Sequence, residues 1–204
     1  MNELNKAFNT DSYKYDICSD VFKKDFFPVL WNASTHWSVV SAITGLQNTD
    51  IGKKKKKKLF NNVSDILMIC KFTEDLYLSS EWPLTRTDNK SPHYLAIGKT
   101  NLKAYNYLIS SCNNLLWQMN TWEDLCLYNM NSNTIVLVEC FHEKMGFIYG
   151  NQTLFNKLSI TPCSNNTKDV YRINGKLLSS DEYKTLEDIG KRPVKCENRE
   201  ITSG

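Results

Sequence analysis

Residues 93–101, "HYLAIGKTN", contain the short stretch that comes nearest to a known chemical motif. Gly98-Lys99-Thr100 follows an apolar run and precedes a helical pattern, where a phosphate-binding loop would lie. Such a loop also needs a glycine six residues before its lysine, so that backbone N–H groups can surround the phosphate. That position is His93, and residues 94–97 are bulky and apolar. The sequence therefore predicts a strand here and no nucleotide site.

The same stretch has a simpler structural interpretation. Gly98 is predicted to form a turn after a strand at Tyr94–Ile97. Thr100 is predicted to cap a helix that begins near Asn101, because its hydroxyl can accept a hydrogen bond from a free N–H group of the first turn. Lys99 then has no phosphate to contact.

Histidine and cysteine side chains are the next candidates for chemistry. Cys140 and His142 could pair as nucleophile and base, but two residues apart on a strand they stand about 6.5 to 7 Å apart, which is too far for a hydrogen bond. His36, His93 and His142 show no metal-ligand spacing. We therefore predict no catalytic residue, no metal site and no cofactor, and a half-buried strand whose outer end carries His142.

The seven cysteines are widely spaced and include no C-x-x-C pair. Cys70, Cys112, Cys126 and Cys140 lie in apolar runs, where a free cysteine behaves as a small hydrophobe, so we predict buried thiols. No run of about eighteen apolar residues is present, and residues 1–6 lack the features of a signal peptide. We expect a cytoplasmic protein without a membrane segment.

Six consecutive lysines, Lys53–Lys58, interrupt the chain. Like charges at this density repel and cannot pack, so the run is predicted to be a solvated loop. Modules that bind RNA or DNA interleave aromatic residues or glycines with their bases, and this run has neither, so we expect no direct nucleic-acid binding. We divide the chain into a helical segment 1–50, a lysine-rich loop 51–60, an α+β core 61–190 and a frayed tail 191–204, within one compact domain.

The first segment is predicted to be helical. Apolar residues between Tyr13 and Leu46 suit two helices that are separated near Pro28. The run "VSDILMICKF", residues 63–72, fits an amphipathic helix or a buried strand, and we favour a strand or a mixed element. A further helix is predicted from Asn101 to about Trp117.

An antiparallel meander follows. Its three predicted strands are Leu125–Tyr128, Ile135–Phe141 and Phe147–Tyr149. Asn174-Gly175 is predicted to turn a hairpin, and Ser179 with Glu182 is predicted to form a capping box for a helix ending near Ile189. The predicted fold class is α+β, with N-terminal helices followed by an antiparallel β-meander and a packed helix.

The middle of the chain is mildly acidic, since residues 61–146 carry nine carboxylates and six basic side chains. Carboxylates can steer a cationic partner, and aromatic side chains supply interface area at a small entropy cost. Trp82 and Trp122 are either exposed anchors of such a surface or core residues. The predicted binding residues are Glu74, Asp75, Glu81, Trp82, Asp88, Trp122, Glu123 and Asp124.

Residues 63–150 form an Asn- and Lys-rich region that is predicted to be α+β, with acidic and aromatic surface residues followed by a strand meander. The region includes the segments "CKFTEDLYLSSEWP" and "NTIVLVECFHEKMGFIYG". This region resembles immunity proteins of bacterial toxin–immunity pairs, including contact-dependent inhibition systems. The resemblance implies a non-catalytic protein that neutralises a basic cognate toxin, commonly a nuclease, by occluding its active site. Two alternatives remain open: a small nuclease or transferase with dispersed catalytic residues such as His142, and a viral host-interaction factor.

Overall fold

The computed structural model describes residues 3–11, 13–17, 25–44, 62–86, 92–110, 122–165 and 168–191. Several predictions fall outside these ranges and are not addressed by the structure. They concern the Lys53–Lys58 loop, the binding residue Asp88, the thiol of Cys112, the helix end near Trp117 and the tail beyond Lys191.

The described residues form eleven strands and five helices. The strands are β1 (Glu3–Thr10), β2 (Tyr13–Ile17), β3 (His36–Thr44), β4 (Asp75–Trp82), β5 (Thr85–Arg86), β6 (His93–Lys99), β7 (Trp122–Asn129), β8 (Thr134–Cys140), β9 (Met145–Gly150), β10 (Ser164–Asn165) and β11 (Val170–Leu177). The helices are α1 (Phe26–Asn32), α2 (residues 62–69), α3 (Leu102–Ile109), α4 (Gln152–Leu158) and α5 (Ser180–Lys191).

Hydrogen bonds join these strands into one sheet, of which seven strands close into a barrel. Their order around the barrel is β1, β11, β4, β6, β3, β7 and β8. β8 returns to β1 through a short parallel pairing, in which Asn9 lies opposite Thr134 and Thr10 opposite Ile135. β9, β2 and β10 extend the sheet beyond β8, and β5 pairs with β4. The predicted α+β fold, with N-terminal helices followed by a meander, is therefore wrong.

Two hydrophobic clusters fill the two sides of the sheet. The inner cluster contains side chains from all seven barrel strands: Phe8, Val40, Tyr77, Trp82, Leu95, Ile97, Cys126, Tyr128, Ile135, Val138 and Ile173, together with Tyr149 of β9. The outer cluster joins strand residues such as Trp37, Leu125, Leu127 and Leu137 to helix residues such as Phe27, Leu30, Val63, Ile66, Leu108, Phe155 and Leu186. The helix-covered strands are thus buried on both faces.

Burial on both faces explains the error in the N-terminal segment. In β3, Trp37 and Val39 belong to the outer cluster and Val40 to the inner one. Its apolar residues, Trp37, Val39, Val40, Ala42 and Ile43, do not alternate with polar ones, so the sequence lacks the pattern that would distinguish a strand from a helix. The segment contains one short described helix, α1, which carries Pro28 in its first turn, where no N–H group is needed.

The preference for a strand at residues 63–72 is also wrong, since residues 62–69 form α2. Val63, Ile66 and Ile69 are fully buried and recur every three residues, which places them on one helix face.

Other predictions are confirmed. The strand predicted at Tyr94–Ile97 is the centre of β6, and the three strands of the meander are β7, β8 and β9. The helix predicted from Asn101 is α3, described as far as Ile109. Its N-cap is Asn101, whose side chain accepts from the Ala104 N–H at 2.9 Å, whereas the Thr100 hydroxyl donates to Ser34 O. Thr100 as the cap is therefore wrong.

The C-terminal region contains one correct and one wrong prediction. The Ser179 and Glu182 capping box is formed in both directions, at 2.8 and 3.2 Å. The hairpin at Asn174-Gly175 is not formed, because β11 runs straight through these residues and its register against β4 shifts there. An Asn-Gly pair fits a bulge in a strand as well as a turn.

Gly98 lies inside β6 and not in a turn, and it is required by a close approach. A Cβ atom built on it would be 2.6 Å from Phe72 O and 2.7 Å from Trp37 Cζ2. We expect Gly98→Ala to lower the free energy of unfolding by about 1–3 kcal/mol, the usual cost of overpacking. Urea unfolding measures this difference.

Gly190→Ala is the matched control. Its Cβ would meet the end of the flexible Leu67 side chain, and alanine favours the helix more than glycine does. We expect Gly190→Ala to be neutral or stabilising. Equal destabilisation by the two substitutions would contradict the role assigned to Gly98.

Candidate functional site

The barrel presents two ends that the sequence could not distinguish. At the α1 end, the start of β3 meets the end of β6 and the end of β7, with His36 opposite both Lys99 and Tyr128. The other end carries Glu123 and Asp124, and we call it the acidic end. There, Ser41 of β3 lies opposite Trp122, and Thr44 lies opposite His93. Glu123 lies opposite Val40, four residues from His36 along β3, which places it roughly 13 Å from the α1 end at about 3.3 Å per residue.

The predicted binding residues do not share one face. Glu81, Trp82, Trp122, Glu123 and Asp124 lie at the acidic end, whereas Glu74 and Asp75 lie at the start of β4, at the α1 end. Trp82 and Trp122 are core side chains and not exposed anchors. Trp82 belongs to the inner cluster, and Trp122 belongs to the outer cluster and donates to Asp65 O at 3.3 Å.

Asp124 holds together three segments at the acidic end. Its Oδ2 accepts from Trp82 Nε1 of β4 at 2.9 Å, and its Oδ1 accepts from the Phe141 N–H at 2.7 Å. The register between β3 and β7 shifts at this point, and Asp124 has a φ of 53°. It therefore occupies a β-bulge with left-handed backbone, a conformation that aspartate tolerates better than most residues.

Glu123, the preceding residue, pairs with His142 in the turn between β8 and β9. Its Oε1 lies 2.7 Å from His142 Nε2. Glu123 is only 3% exposed, and its Oε2 has no hydrogen-bond partner among the described residues. The imidazole, by contrast, is 69% exposed. A buried carboxylate thus anchors a solvent-facing histidine.

Burial raises the pKa values of both carboxyl groups. For Glu123 the charge of Asp124 adds to the effect of burial, and His142 opposes it. For Asp124 the hydrogen bonds from Phe141 and Trp82 oppose the effect of burial. Two adjacent carboxylates with raised pKa values, one of them beside a strained backbone, are features that cluster at functional sites.

The pairing of Glu123 with His142 joins two chain segments, whereas the sequence pattern of Cys140 and His142 concerns neighbours along one strand. Leu127 lies opposite Leu137 in the hairpin of β7 and β8. Counting outward from that pair brings residues 123 and 142 close together, so the hairpin register was the signal. Cys140 is a poor nucleophile here, because burial raises the pKa of its thiol.

The α1 end contains a cleft of about 530 Å³ between α1 and α3, which we call the α1–α3 cleft. Its lining residues are Pro28, Trp31, Asn32, Ser34, Thr100, Asn101, Leu102 and Tyr105. Leu102 is 74% exposed at its rim. The Trp31 and Tyr105 rings meet edge to face at 5.8 Å. The cleft is therefore aromatic on one side and carries an exposed leucine.

Hydrogen bonds between two loops hold this cleft in shape. The Thr100 N–H donates to Thr35 O at 2.9 Å, and the Thr100 hydroxyl donates to Ser34 O at 3.1 Å. Asn101 caps α3 from the same loop. The walls are thus preformed rather than dependent on a ligand.

Charged groups at the α1 end are paired with one another. Lys99 Nζ lies 2.5 Å from Glu74 Oε1, and His36 Nε2 lies 3.6 Å from Glu74 Oε2. Burial lowers the pKa of His36. Asp75 accepts from the Tyr77 hydroxyl at 3.0 Å. The lysine of the Gly-Lys-Thr stretch therefore contacts a carboxylate.

Comparison with known proteins gives no match to a family model, a curated protein or a solved structure. None of the helices in the described ranges is long and apolar enough to cross a membrane. Within the same ranges, no group of three or more His, Cys, Asp or Glu side chains is arranged to hold a metal ion.

The raised pKa values of Glu123 and Asp124 predict a pH dependence of stability. Between the ordinary carboxyl pKa of about 4 and the raised values, the folded protein holds protons that the unfolded chain has released. The contribution of this pair to the free energy of unfolding must therefore decrease as pH rises through that window. Glu123→Gln with Asp124→Asn should flatten this decrease relative to the wild type in urea unfolding series.

Glu143→Gln is the control for that series, because Glu143 is an exposed carboxylate in the same turn. Its profile should follow the wild type. A wild-type decrease that persists unchanged in the double variant would show that other groups cause it.

Proposed function

We propose that this protein is a protein-binding module that docks its partner in the α1–α3 cleft. The observation that carries the proposal is Leu102, whose side chain is 74% exposed at the rim of a preformed cleft lined by Trp31 and Tyr105. Burying a leucine side chain contributes about 1.5–3 kcal/mol. An exposed leucine beside an aromatic wall is therefore a favourable anchor for another protein.

The lining of the cleft supports a neutral, apolar anchor on the partner. None of its eight lining residues carries a charge, and the exposed amide of Asn32 can hydrogen-bond a partner beside the aromatic wall. This arrangement of an apolar centre and a polar rim is typical of protein interfaces. We therefore expect the partner to insert an aliphatic or aromatic side chain and to contact the rim with its main chain.

The acidic surface inferred from the sequence has less support. Trp82, Trp122, Glu123 and Asp124 are buried. Glu74 pairs with Lys99 and His36. Steering by exposed carboxylates is therefore a weaker basis for recognition than the uncharged cleft with its exposed leucine, and a basic partner stays a prediction.

The resemblance to immunity proteins supplies the class of partner, a cognate protein toxin whose active site the module would occlude. We propose that the module works in the cytoplasm. Cys126 and Cys140 are free and buried, as expected of a protein that folds in a reducing compartment.

Leu102→Asp tests this proposal. The partner is first identified by affinity purification with the wild-type chain, and its dissociation constant is then measured by calorimetry. We expect Leu102→Asp to weaken binding at least about tenfold, because about 1.4 kcal/mol of apolar contact is replaced by a desolvated charge.

Met68→Asp is the matched control, since Met68 is another exposed apolar residue on a short helix and does not line the cleft. It should leave the dissociation constant unchanged. Equal binding by Leu102→Asp and the wild type would overturn the docking site. Concentration-dependent dimerisation that Leu102→Asp abolishes would instead identify a second copy of this chain as the occupant.

A further inference from the structure

The three histidines differ in how their ring nitrogens are used. His93 Nδ1 lies 2.6 Å from Ser41 O, and His36 contacts Thr35 through Nδ1 and Glu74 through Nε2. Both of these rings are at least half-buried. His142 is 69% exposed and is held through Nε2 by Glu123. Of the three histidines, His142 therefore has the imidazole that an external molecule can reach.

The contact with Glu123 fixes the tautomer of His142. When Glu123 is ionised, its carboxylate can only accept a hydrogen bond, so Nε2, 2.7 Å from Oε1, then carries the proton. In the neutral ring Nδ1 then holds the lone pair. The Phe141 ring, 6.2 Å away and edge to face, restricts the rotation of the imidazole. His142 is thus a preoriented base with a free nitrogen.

Glu123 is suited to this role by its position. It lies in β7, which is buried along nearly its whole length, beside the hydrogen bonds of Asp124 that hold the turn to the barrel. Its Oε2 has no partner among the described residues, so nothing there competes with the imidazole for the carboxylate. A rigid carboxylate behind a histidine orients the ring and stabilises the imidazolium.

We propose that His142 is a catalytic nucleophile that accepts acyl groups from neutral activated esters or thioesters, with Glu123 as its positioning residue. The Nδ1 lone pair forms a bond to the carbonyl carbon, and the carbon–oxygen or carbon–sulfur bond breaks, releasing an alkoxide or thiolate that takes a proton from water. The Nε2 proton passes to Glu123, leaving a neutral acyl-imidazole. Water then adds to the acyl carbon and releases the carboxylic acid, and Glu123 returns its proton to Nε2 as the carbon–nitrogen bond breaks. The second proton of that water neutralises the hydroxide left by protonation of the leaving group.

The surrounding charges select acyl groups over phosphoryl groups. Glu123 and Asp124 lie behind the imidazole. Carboxylates beside the imidazole repel an anionic phosphoryl donor and leave a neutral ester unaffected. Burial raises the pKa of Glu123, which favours its acceptance of the imidazole proton.

Two measurements test the proposal on the full chain. With p-nitrophenyl acetate as the probe, we expect the rate of p-nitrophenolate release to exceed that of an equal concentration of N-acetylhistidine amide. Glu123→Gln should lower this rate at least about tenfold, the usual effect of losing the group that orients a histidine. His142→Gln should lower the rate of p-nitrophenolate release to the level that the other side chains of the protein produce.

Glu143→Gln is the matched control, because it removes one carboxylate of the same turn that does not touch the imidazole. It should leave the rate within about twofold. If Glu143→Gln and Glu123→Gln lowered the rate equally, the effect would come from the net charge of the turn and not from the contact with the imidazole. That result would overturn the proposal.

Nitrogen-15 NMR of the wild-type protein gives an answer that does not depend on the folding of any variant. We expect His142 to show an unprotonated Nδ1 and a protonated Nε2 in its neutral form. A protonated Nδ1, or a rate no greater than that of N-acetylhistidine amide, would overturn the proposal.

Discussion

The closure of the sheet between β1 and β8 is the constraint on which the rest of the structure depends. The Asn9 N–H donates to Asn133 O at 2.8 Å, and two residue pairs complete the parallel contact. The adjacent Phe8 ring packs 4.8 Å from Tyr128 inside the barrel. Joining residues so distant in sequence has a high cost in chain entropy, which the apolar interior must offset. The inner cluster and the closure therefore depend on each other.

Asp124 plays the corresponding role at the acidic end. A closed barrel needs local bends, and the bulge at Asp124 provides one in β7. The same carboxylate satisfies the indole N–H of Trp82 and the backbone N–H of Phe141, so β4, β7 and the turn between β8 and β9 meet at one side chain. Removing it would leave two donors without an acceptor, each at a cost of about 1–3 kcal/mol. Glu123 owes its fixed position to this arrangement.

Local signals in the sequence predicted those parts of the fold that local interactions determine. The capping box at Ser179, the strand at Tyr94–Ile97 and the meander are of this kind. β3 was unpredictable because both its faces are buried, and the parallel contact of Asn9 with Thr134 has no local signature. Glu123 and Asp124 were expected at the surface because they are charged. Only the hairpin register and the bulge, which are tertiary features, reveal that they are buried.

The two proposed sites lie at opposite ends of a rigid sheet, and this separation has a consequence for their independence. β3, along which the levels of the two sites lie roughly 13 Å apart, is hydrogen-bonded on both sides, to β6 and to β7. Substitutions more than about 10 Å apart without shared partners have additive effects on stability. Coupling between the ends would need an element with two discrete arrangements, and a strand paired on both edges and packed on both faces is a poor candidate. Occupation of the α1–α3 cleft should therefore leave the chemistry of His142 unaltered, so each site can be judged on its own variants.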